Sequence, residues 1–278
     1  MIKKENINLI IQEFNSNDFG DILLENGINN LINQKGVIII RNVFEVELIN
    51  ELRKNLQECI DEDEIKYSKE YIFYGMVHAL MIRRKCFQNV LNDSLVMNIM
   101  RNILGHGAIV HAFNSSSLPP FSTNFAGKIH VDSPRLIPGY ITNVVMTIAL
   151  DDFTNENGAM EIWPSSFNQY IAPTDKEFEK NRIILDTLKA GDLVLFNARC
   201  WHKGGVNTTE KWRHAIAITG CRSYMRQQFD FPSMFKKEDE LLFSDSFKQF
   251  LGYHVRTPKK IEEFLLPPNE RLYKMGQE

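Results

Sequence analysis

The segment AGDLVLF at residues 190–196 carries the pattern that decides the fold: a Gly-Asp turn followed by an apolar run short enough to be a buried strand. Similar β-branched or aromatic runs recur beyond residue 107, separated by clusters of Asn, Gly, Pro and Asp. They cover residues 108–113, 127–132, 141–150, 159–163, 188–196 and 215–219. Short strands at this spacing are typical of a β-sandwich or barrel, so the sequence predicts a double-sheet core of jelly-roll type.

Helical periodicity precedes this region. Apolar residues recur every three or four positions in 21–34 and 45–61, and a third helix is predicted over Ser94–Leu104, with Asp93 as N-cap and Gly105 as C-cap. Residues 37–40 are predicted to form a buried strand, and the acidic run 61–64 a solvated turn.

We therefore expect a single domain over residues 1–278. It is mainly β with flanking α, and its N-terminal helices pack against the β core. Residues 1–106 form a mainly helical layer, 107–222 the jelly-roll core and 223–278 a C-terminal extension of helices and loops.

The composition excludes several classes of protein. The chain of 278 residues is 44% hydrophobic and 24% charged, which is not typical of disorder. Its formal net charge of −3 gives no global attraction for nucleic acid or an anionic membrane, so we expect a small-molecule substrate and leave the oligomeric state open. The four cysteines are dispersed and form no CxxC pair. The sequence shows neither a signal-peptide pattern nor an apolar run that could span a bilayer. These features favour a cytoplasmic location.

The histidines offer one chemically coherent set. His130 and Asp132 are two residues apart, so on a strand both would project from the same face, and His202 follows the strand that ends near residue 196. Two imidazoles and one carboxylate on one side of an octahedral ion form the facial triad of non-haem Fe(II) oxygenases. A His-x-Asp pair alone occurs by chance, usually as a structural histidine near a solvated aspartate. The ordered sequence blocks around this pair favour a metal site instead.

Those blocks are NGAMEIWPSSF at 157–167, GDLVLF at 191–196 and the stretch from His202 to Arg213. In order and spacing they resemble the phytanoyl-CoA dioxygenase family of Fe(II)/2-oxoglutarate-dependent oxygenases, and GVIIIRNV at 36–43 resembles a strand near the family's start. The resemblance implies a cupin-like double-stranded β-helix as the core. It also implies Fe(II) as the metal and 2-oxoglutarate and O₂ as co-substrates.

By the same resemblance, His130, Asp132 and His202 are the metal ligands and the catalytic centre. The resemblance implies that Arg213 binds the distal carboxylate of 2-oxoglutarate. Thr147 aligns with a position that contacts the co-substrate. An ordinary β-branched strand residue is an equally good interpretation of Thr147. Asn207 matches a recurring position that shapes a loop.

The chain departs from the family at Ser165-Ser166-Phe167, where Gly-Ser-His is common, and at Val131, where Gln is frequent. Neither change removes a ligand, so both point to a differently shaped substrate pocket. Asp132 argues against halogenation, because halogenating relatives replace this carboxylate by a small residue.

The remaining candidates are weaker. A packing role is favoured for Cys200 and a structural role for His111, and strand alternation turns His214 away from Arg213. Basic runs at 83–85 and 236–237 are expected to be solvated. Arg222 and Arg226 are better candidates for contact with the substrate, and segments 64–90, 114–126, 133–140 and 167–186 for a selectivity lid.

The sequence thus predicts a dioxygenase that hydroxylates a small biosynthetic metabolite and releases succinate and CO₂. Two alternatives stay open: the same iron chemistry ending in desaturation or epimerisation, and a non-catalytic member of the fold that binds a metal or small ligand.

Overall fold

The structure, a computed structural model, describes residues 12–15, 34–70 and 73–277. The β-strands are β1 (Gln12–Asn15), β2 (Val37–Arg41), β3 (Ile109–Ser115), β4 (Asn143–Ala149), β5 (Met160–Ile162), β6 (Ile183–Ile184), β7 (Leu193–Asn197), β8 (His202–Gly204) and β9 (Ala215–Cys221). The α-helices are α1 (Val46–Tyr67), α2 (Leu80–Arg83), α3 (Lys85–Leu91), α4 (Ser94–Leu104), α5 (Asp175–Asn181), α6 (Phe231–Met234), α7 (Lys237–Leu241), α8 (Asp245–Leu251) and α9 (Ile261–Phe264). Short 3₁₀ helices lie at Phe125–Gly127, Ser166–Asn168 and Pro268–Glu270.

Two sheets organise these strands. The larger sheet has the order β1-β2-β7-β4-β9-β3, and the smaller has the order β6-β5-β8. All pairings are antiparallel except that of β1 with β2. The expected combination of antiparallel sheets with helices is therefore confirmed.

The two faces of the large sheet pack into different clusters. On β4, Val144, Met146 and Ile148 face one cluster, which also contains the buried residues of α1 and α4. Val145 and Ala149 face the other cluster, which includes residues of β5 in the small sheet. Side chains alternate along a strand, so the large sheet has an outer, helix-covered face and an inner face towards the small sheet.

Helices and strands whose sequence pattern lies within one short segment agree with the structure. The helix Ser94–Leu104 has the predicted bounds; the carboxylate of Asp93 accepts a hydrogen bond from the amide of Leu95, and Gly105 is the C-cap. The predicted strands at 37–40, 108–113, 141–150, 159–163, 188–196 and 215–219 correspond to β2, β3, β4, β5, β7 and β9, with ends that differ by at most five residues.

Two predictions are wrong. Residues 61–64 are not a turn but part of α1, where Glu62 and Asp63 pair with the guanidinium of Arg83 at 3.0 and 2.9 Å. Residues 127–132 are not a strand: they contain the end of a 3₁₀ helix and a single bridge between His130 and His202.

The helix predicted at 21–34 lies almost entirely outside the described residues. Among the helices that the structure describes, none is both long and apolar enough to cross a membrane.

Candidate metal centre

His130, Asp132 and His202 converge at one point. One potential ligand atom from each lies within 4.8 Å of the others. The carboxylate of Asp132 is between the two imidazoles: its oxygens lie 3.6 Å from Nε2 of His130 and 3.5 Å from Nε2 of His202. The predicted set is thus brought together in space although His202 is distant in sequence.

Backbone pairing produces this convergence. The amides and carbonyls of His130 and His202 exchange two hydrogen bonds of 3.0 Å, and the amide of Asp132 donates to the carbonyl of Ala198 at 2.9 Å. The segment that follows the 3₁₀ helix at 125–127 is therefore held against the β7–β8 connection. Because no regular strand is present at 127–132, strand alternation is not the reason that His130 and Asp132 share a site.

Both imidazoles are oriented by backbone carbonyls. Nδ1 of His130 lies 2.7 Å from the carbonyl oxygen of Lys128, and Nδ1 of His202 lies 3.0 Å from that of Cys200. A carbonyl can only accept, so each Nδ1 carries a proton, and in the neutral ring Nε2 is then the nitrogen with the free lone pair. That is the second contact expected of a histidine ligand, and it directs both Nε2 atoms towards the Asp132 carboxylate. The donor set fits a divalent metal ion.

His202 is the most enclosed of the three. Its ring packs edge-on to Phe196 with centroids 4.9 Å apart, and 10% of its side chain is exposed, against 28% for His130. Burial, reinforced by the neighbouring His130 imidazole, lowers the pKa of His202 to about 4 despite the opposing Asp132 carboxylate. The ring is therefore neutral at pH 7, which is the form that binds a metal.

Arg213 is a buried cation. Its Nη1 donates to the carbonyl of Ser116 at 2.8 Å and its Nη2 to that of Gly158 at 3.2 Å, while its buried Nε has no partner. The guanidinium lies 4.5 Å from the ring centroid of Phe153. Burial lowers the pKa of Arg213 to about 10, so the side chain stays charged at pH 7. An enclosed guanidinium with an unpartnered N–H is suited to an incoming carboxylate.

The surroundings of Arg213 and His202 belong to the same inner cluster, since Phe153 and Phe196 are both members of it. Thr147 lies on this inner face, opposite Val194 of β7 and Ala217 of β9. It is 8% exposed.

Other predicted residues have structural contacts. The amide of Asn207 is buried and donates to the carbonyls of Leu118, Pro119 and Lys211, which braces a loop as expected. His214 points to the helical side, where its Nδ1 lies 2.9 Å from the Ser117 hydroxyl.

Cys200, the basic run and Phe167 all have structural contacts. Cys200 is buried, and its burial raises the pKa of the thiol, consistent with packing. The basic run at 83–85 is not free, because Arg83 and Arg84 pair with Glu62 and Asp63 of α1. Phe167, where the family commonly has His, is buried in the inner cluster.

Sequence reasoning missed Arg199, which is 7% exposed. Its Nη1 donates to the carbonyl of Pro134 at 3.1 Å, and its Nη2 donates to the carbonyl of Gln169. It thereby joins the segment after Asp132 to the region around the 3₁₀ helix at 166–168. An arginine in a loop carries no sequence signal for this role, because its three-dimensional partners are backbone carbonyls.

Comparison with known proteins shows the family of the chain. A family model described as phytanoyl-CoA dioxygenase (PhyH) matches residues 32–215. The uncharacterized protein Rv1501 of Mycobacterium tuberculosis is 28% identical over 259 residues, covering 90% of this chain and 94% of its own. The dioxygenase ALT11 of Alternaria alternata is 29% identical and covers 81% of each chain. The dioxygenase sphC of Aspergillus fumigatus is 30% identical, covering 81% of this chain and 67% of its own.

Solved structures show the same fold. The crystal structure of EctD from S. alaskensis with bound Fe has a TM-score of 0.61 and 16% identity, covering 73% of this chain and 78% of EctD. The EctD structure with 2-oxoglutarate and 5-hydroxyectoine has a TM-score of 0.60 at the same identity, with coverage of 71% and 75%.

Proposed function

The chain belongs to the phytanoyl-CoA dioxygenase family, and from this premise we propose that it is an Fe(II)/2-oxoglutarate-dependent dioxygenase that hydroxylates a small biosynthetic metabolite. The observation that carries the proposal is the convergence of His130, Asp132 and His202, with both Nδ1 atoms bonded to backbone carbonyls and both Nε2 atoms directed to one point. Fe(II) is the metal that this donor set suits when open positions are left for co-substrates.

Each residue has a proposed task. His130, Asp132 and His202 hold the iron on one side, and the carbonyls of Lys128 and Cys200 keep the two imidazoles in the ligating tautomer. When bound, Fe(II) supplies the oxidising chemistry, in which 2-oxoglutarate and O₂ are consumed and succinate and CO₂ are released.

The co-substrate is proposed to bind on the inner face. Arg213 binds the distal carboxylate of 2-oxoglutarate through the guanidinium edge that includes its unpartnered Nε. The hydroxyl of Thr147, which faces the same cluster, donates to the co-substrate. Because the guanidinium is already enclosed, the carboxylate meets a charge that water does not screen.

The fold carries further parts of the proposal. We treat the two sheets as the halves of a double-stranded β-helix in a single domain, with residues 223–278 as an extension of it. A cytoplasmic location and a small-molecule substrate remain expectations from composition.

Iron binding tests the proposal without knowledge of the substrate. The protein should bind one Fe(II) per chain anaerobically, and 2-oxoglutarate should bind only to the iron-loaded form. His130→Ala and Asp132→Ala should abolish both, whereas His106→Ala, which changes an exposed histidine outside the site, should change neither. Equal iron content in all variants would refute the ligand set.

Product mass distinguishes the outcomes once a substrate is found. A product heavier by one oxygen atom indicates hydroxylation, one lighter by two hydrogens indicates desaturation, and one of unchanged mass indicates epimerisation. If the protein binds iron and 2-oxoglutarate but forms no succinate with any substrate tested, the non-catalytic alternative is favoured.

A further inference from the structure

A large cavity lies outside the metal centre, between the loop 223–230 and the C-terminal segment 252–275. Its volume is about 1130 Å³, and the first residue of β3, Ile109, forms part of its wall. Small-molecule sites are typically concave and have volumes of about 300–1,000 Å³. The C-terminal extension therefore borders an open cavity at the β3 edge of the large sheet that is large enough for an elongated metabolite.

The charge of this cavity is unbalanced. Four cationic side chains line it: Arg226, Arg256, Lys259 and Arg271. Nε of Arg256 donates to the carbonyl of Tyr253 at 3.1 Å and Nε of Arg271 to that of Leu266 at 2.7 Å, but no described carboxylate pairs with any of the four cations. Among the residues that the structure describes, the lining carboxylates are those of Asp230 and Glu263, so the described cations outnumber them by two. An anionic group on a ligand would complete this arrangement.

The lining also contains large apolar side chains that are exposed. Tyr224, Phe264, Tyr273 and Met275 are between 49% and 83% exposed, and all four line the cavity. Grouped apolar side chains of this kind mark binding sites more often than isolated ones do. The cavity thus combines a positive charge with apolar walls, which is the pattern that an amphipathic anion would recognise.

Hydrogen bonds join the cavity wall to the inner face of the sheet. The carbonyl of Arg226 lies 2.9 Å from Nδ1 of His111 in β3. The side chain of Gln228 accepts a hydrogen bond of 3.1 Å from Asn114, which is paired in register with Ala217 opposite Thr147. In sheet order β3 is three strands from β7, so the cavity is roughly 14 Å from the strand that packs on His202, at about 4.8 Å per strand.

A row of rings spans this interval. Phe125, in the 3₁₀ helix that packs on β8, lies 5.4 Å from Phe73. Phe73 lies 5.4 Å from His78, and His78 lies 6.4 Å from Phe229, which lines the cavity. The row leads from the strand of His202 to the cavity. Phe125 and Phe229 are 40% and 37% exposed, so both ends of the row offer apolar surface.

We infer that the substrate is an amphipathic acid, an apolar chain with a carboxylate or phosphate at one end. The anionic end binds between Arg226 and Arg256, the chain follows the ring row, and the C–H bond that reacts lies far from the charge. This inference rests on the proposed function for the identity of the reacting end, but the cavity itself can be tested separately.

Calorimetry with three probes of equal chain length tests the cavity: decanoate, decyl phosphate and decyltrimethylammonium. At least one of the two anions should bind, and the cation should not. The double variant Arg226→Ala/Arg256→Ala should raise the dissociation constant about tenfold, since two charged donors are lost. Equal binding of all three probes, or anion binding unchanged in the double variant, would overturn the inference.

Arg222→Ala is the matched control. Arg222 belongs to the same loop region, but its Nε donates to the carbonyl of Ile141 and its guanidinium lies over the ring of Tyr140, outside the cavity. This variant should bind the anion as the wild type does, within about twofold. A loss as large as that of the double variant would mean that general charge, and not the cavity, holds the probe. Thermal melting without ligand verifies that each variant is folded.

Paramagnetic broadening tests the orientation. With Mn(II) in place of Fe(II), the terminal methyl protons of bound decanoate should broaden more than the methylene next to the carboxylate. Stronger broadening next to the carboxylate, or no difference along the chain, would overturn the orientation. If Mn(II) does not bind to the wild type, the proposed function fails, whereas calorimetry still decides whether the cavity takes an amphipathic anion.

Discussion

Replacement of Arg213 by Met should separate co-substrate binding from stability. The substitution keeps an unbranched side chain as long as the aliphatic part of arginine but removes the guanidinium and its charge. Folding buries this guanidinium without a carboxylate in contact, and a pKa lowered from 12.5 to about 10 corresponds to a cost of about 3 kcal/mol. Removing the charge therefore returns a free energy of this order to the folded state.

The substitution also has a cost. The carbonyls of Ser116 and Gly158 lose the hydrogen bonds that Arg213 donates to them at 2.8 and 3.2 Å. A buried group left without its partner costs about 1–3 kcal/mol. The two effects are of similar size and opposite sign, so the free energy of unfolding of the metal-free protein should change by less than about 2 kcal/mol.

Binding of 2-oxoglutarate has no such compensation. Loss of one partner of a buried, hydrogen-bonded charge pair costs about 2–5 kcal/mol, which raises the dissociation constant at least about 30-fold. Anaerobic titration of the iron-loaded protein measures the binding, and denaturant unfolding measures the stability. Arg101→Met removes an arginine that bonds to Ser246, away from the inner face, and should leave 2-oxoglutarate affinity unchanged. A 2-oxoglutarate affinity in Arg213→Met within threefold of the wild type would refute the assigned role.

Three other predictions concern the same site and its support. Phe196→Ala and Phe113→Ala both remove a buried ring, so each should lower the free energy of unfolding by about 3–5 kcal/mol. Only Phe196→Ala also removes the ring that packs on His202. This variant alone should weaken metal binding, by about tenfold in a metal titration. Asn207→Ala should lower the free energy of unfolding by about 2–4 kcal/mol in urea unfolding. The carbonyl of Pro119 loses its donor, those of Leu118 and Lys211 each lose one of two donors, and the amide and hydroxyl of Thr209 lose their acceptor. Burial lowers the pKa of His214 to about 4, below its usual 6.5. Between these two pH values the unfolded chain binds a proton that the folded chain does not, so stability should fall as the pH drops from 6.5 towards 4. His214→Gln should therefore make the fall in melting temperature between pH 7 and 5 shallower. An equally steep fall in that variant would contradict the assignment.

Features that depend on nearby residues could be predicted from the sequence. The helix Ser94–Leu104 and its caps follow from Asp93, Gly105 and a clear apolar periodicity, all within one short segment. β4 and β7 follow from apolar runs bounded by turns. The acidic run in α1 could not be predicted as helical, because its charges are compensated by Arg83 and Arg84, which lie about twenty residues away.

The candidate site could be predicted in composition but not in geometry. The spacing of His130 and Asp132 and the blocks around them identified the three residues. The reason that they meet is different from the one expected: a single bridge to His202 and a bond from Asp132 to Ala198 replace the predicted strand. Such pairings between distant segments leave no periodicity in the sequence.

The substrate side was the least predictable. Sequence reasoning favoured both Arg222 and Arg226 for substrate contact, yet only Arg226 of the two lines the cavity, whereas the guanidinium of Arg222 lies over the ring of Tyr140. Whether a surface arginine is free depends on which backbone groups lie beside it, and that information exists only in the folded chain.

The most direct measurement is an anaerobic crystal structure of the protein with Fe(II) and 2-oxoglutarate. We expect a single iron bound by Nε2 of His130, Nε2 of His202 and the carboxylate of Asp132, with the distal carboxylate of 2-oxoglutarate on the guanidinium of Arg213. Iron held by other residues, or a co-substrate whose distal carboxylate lies away from Arg213, would contradict the account.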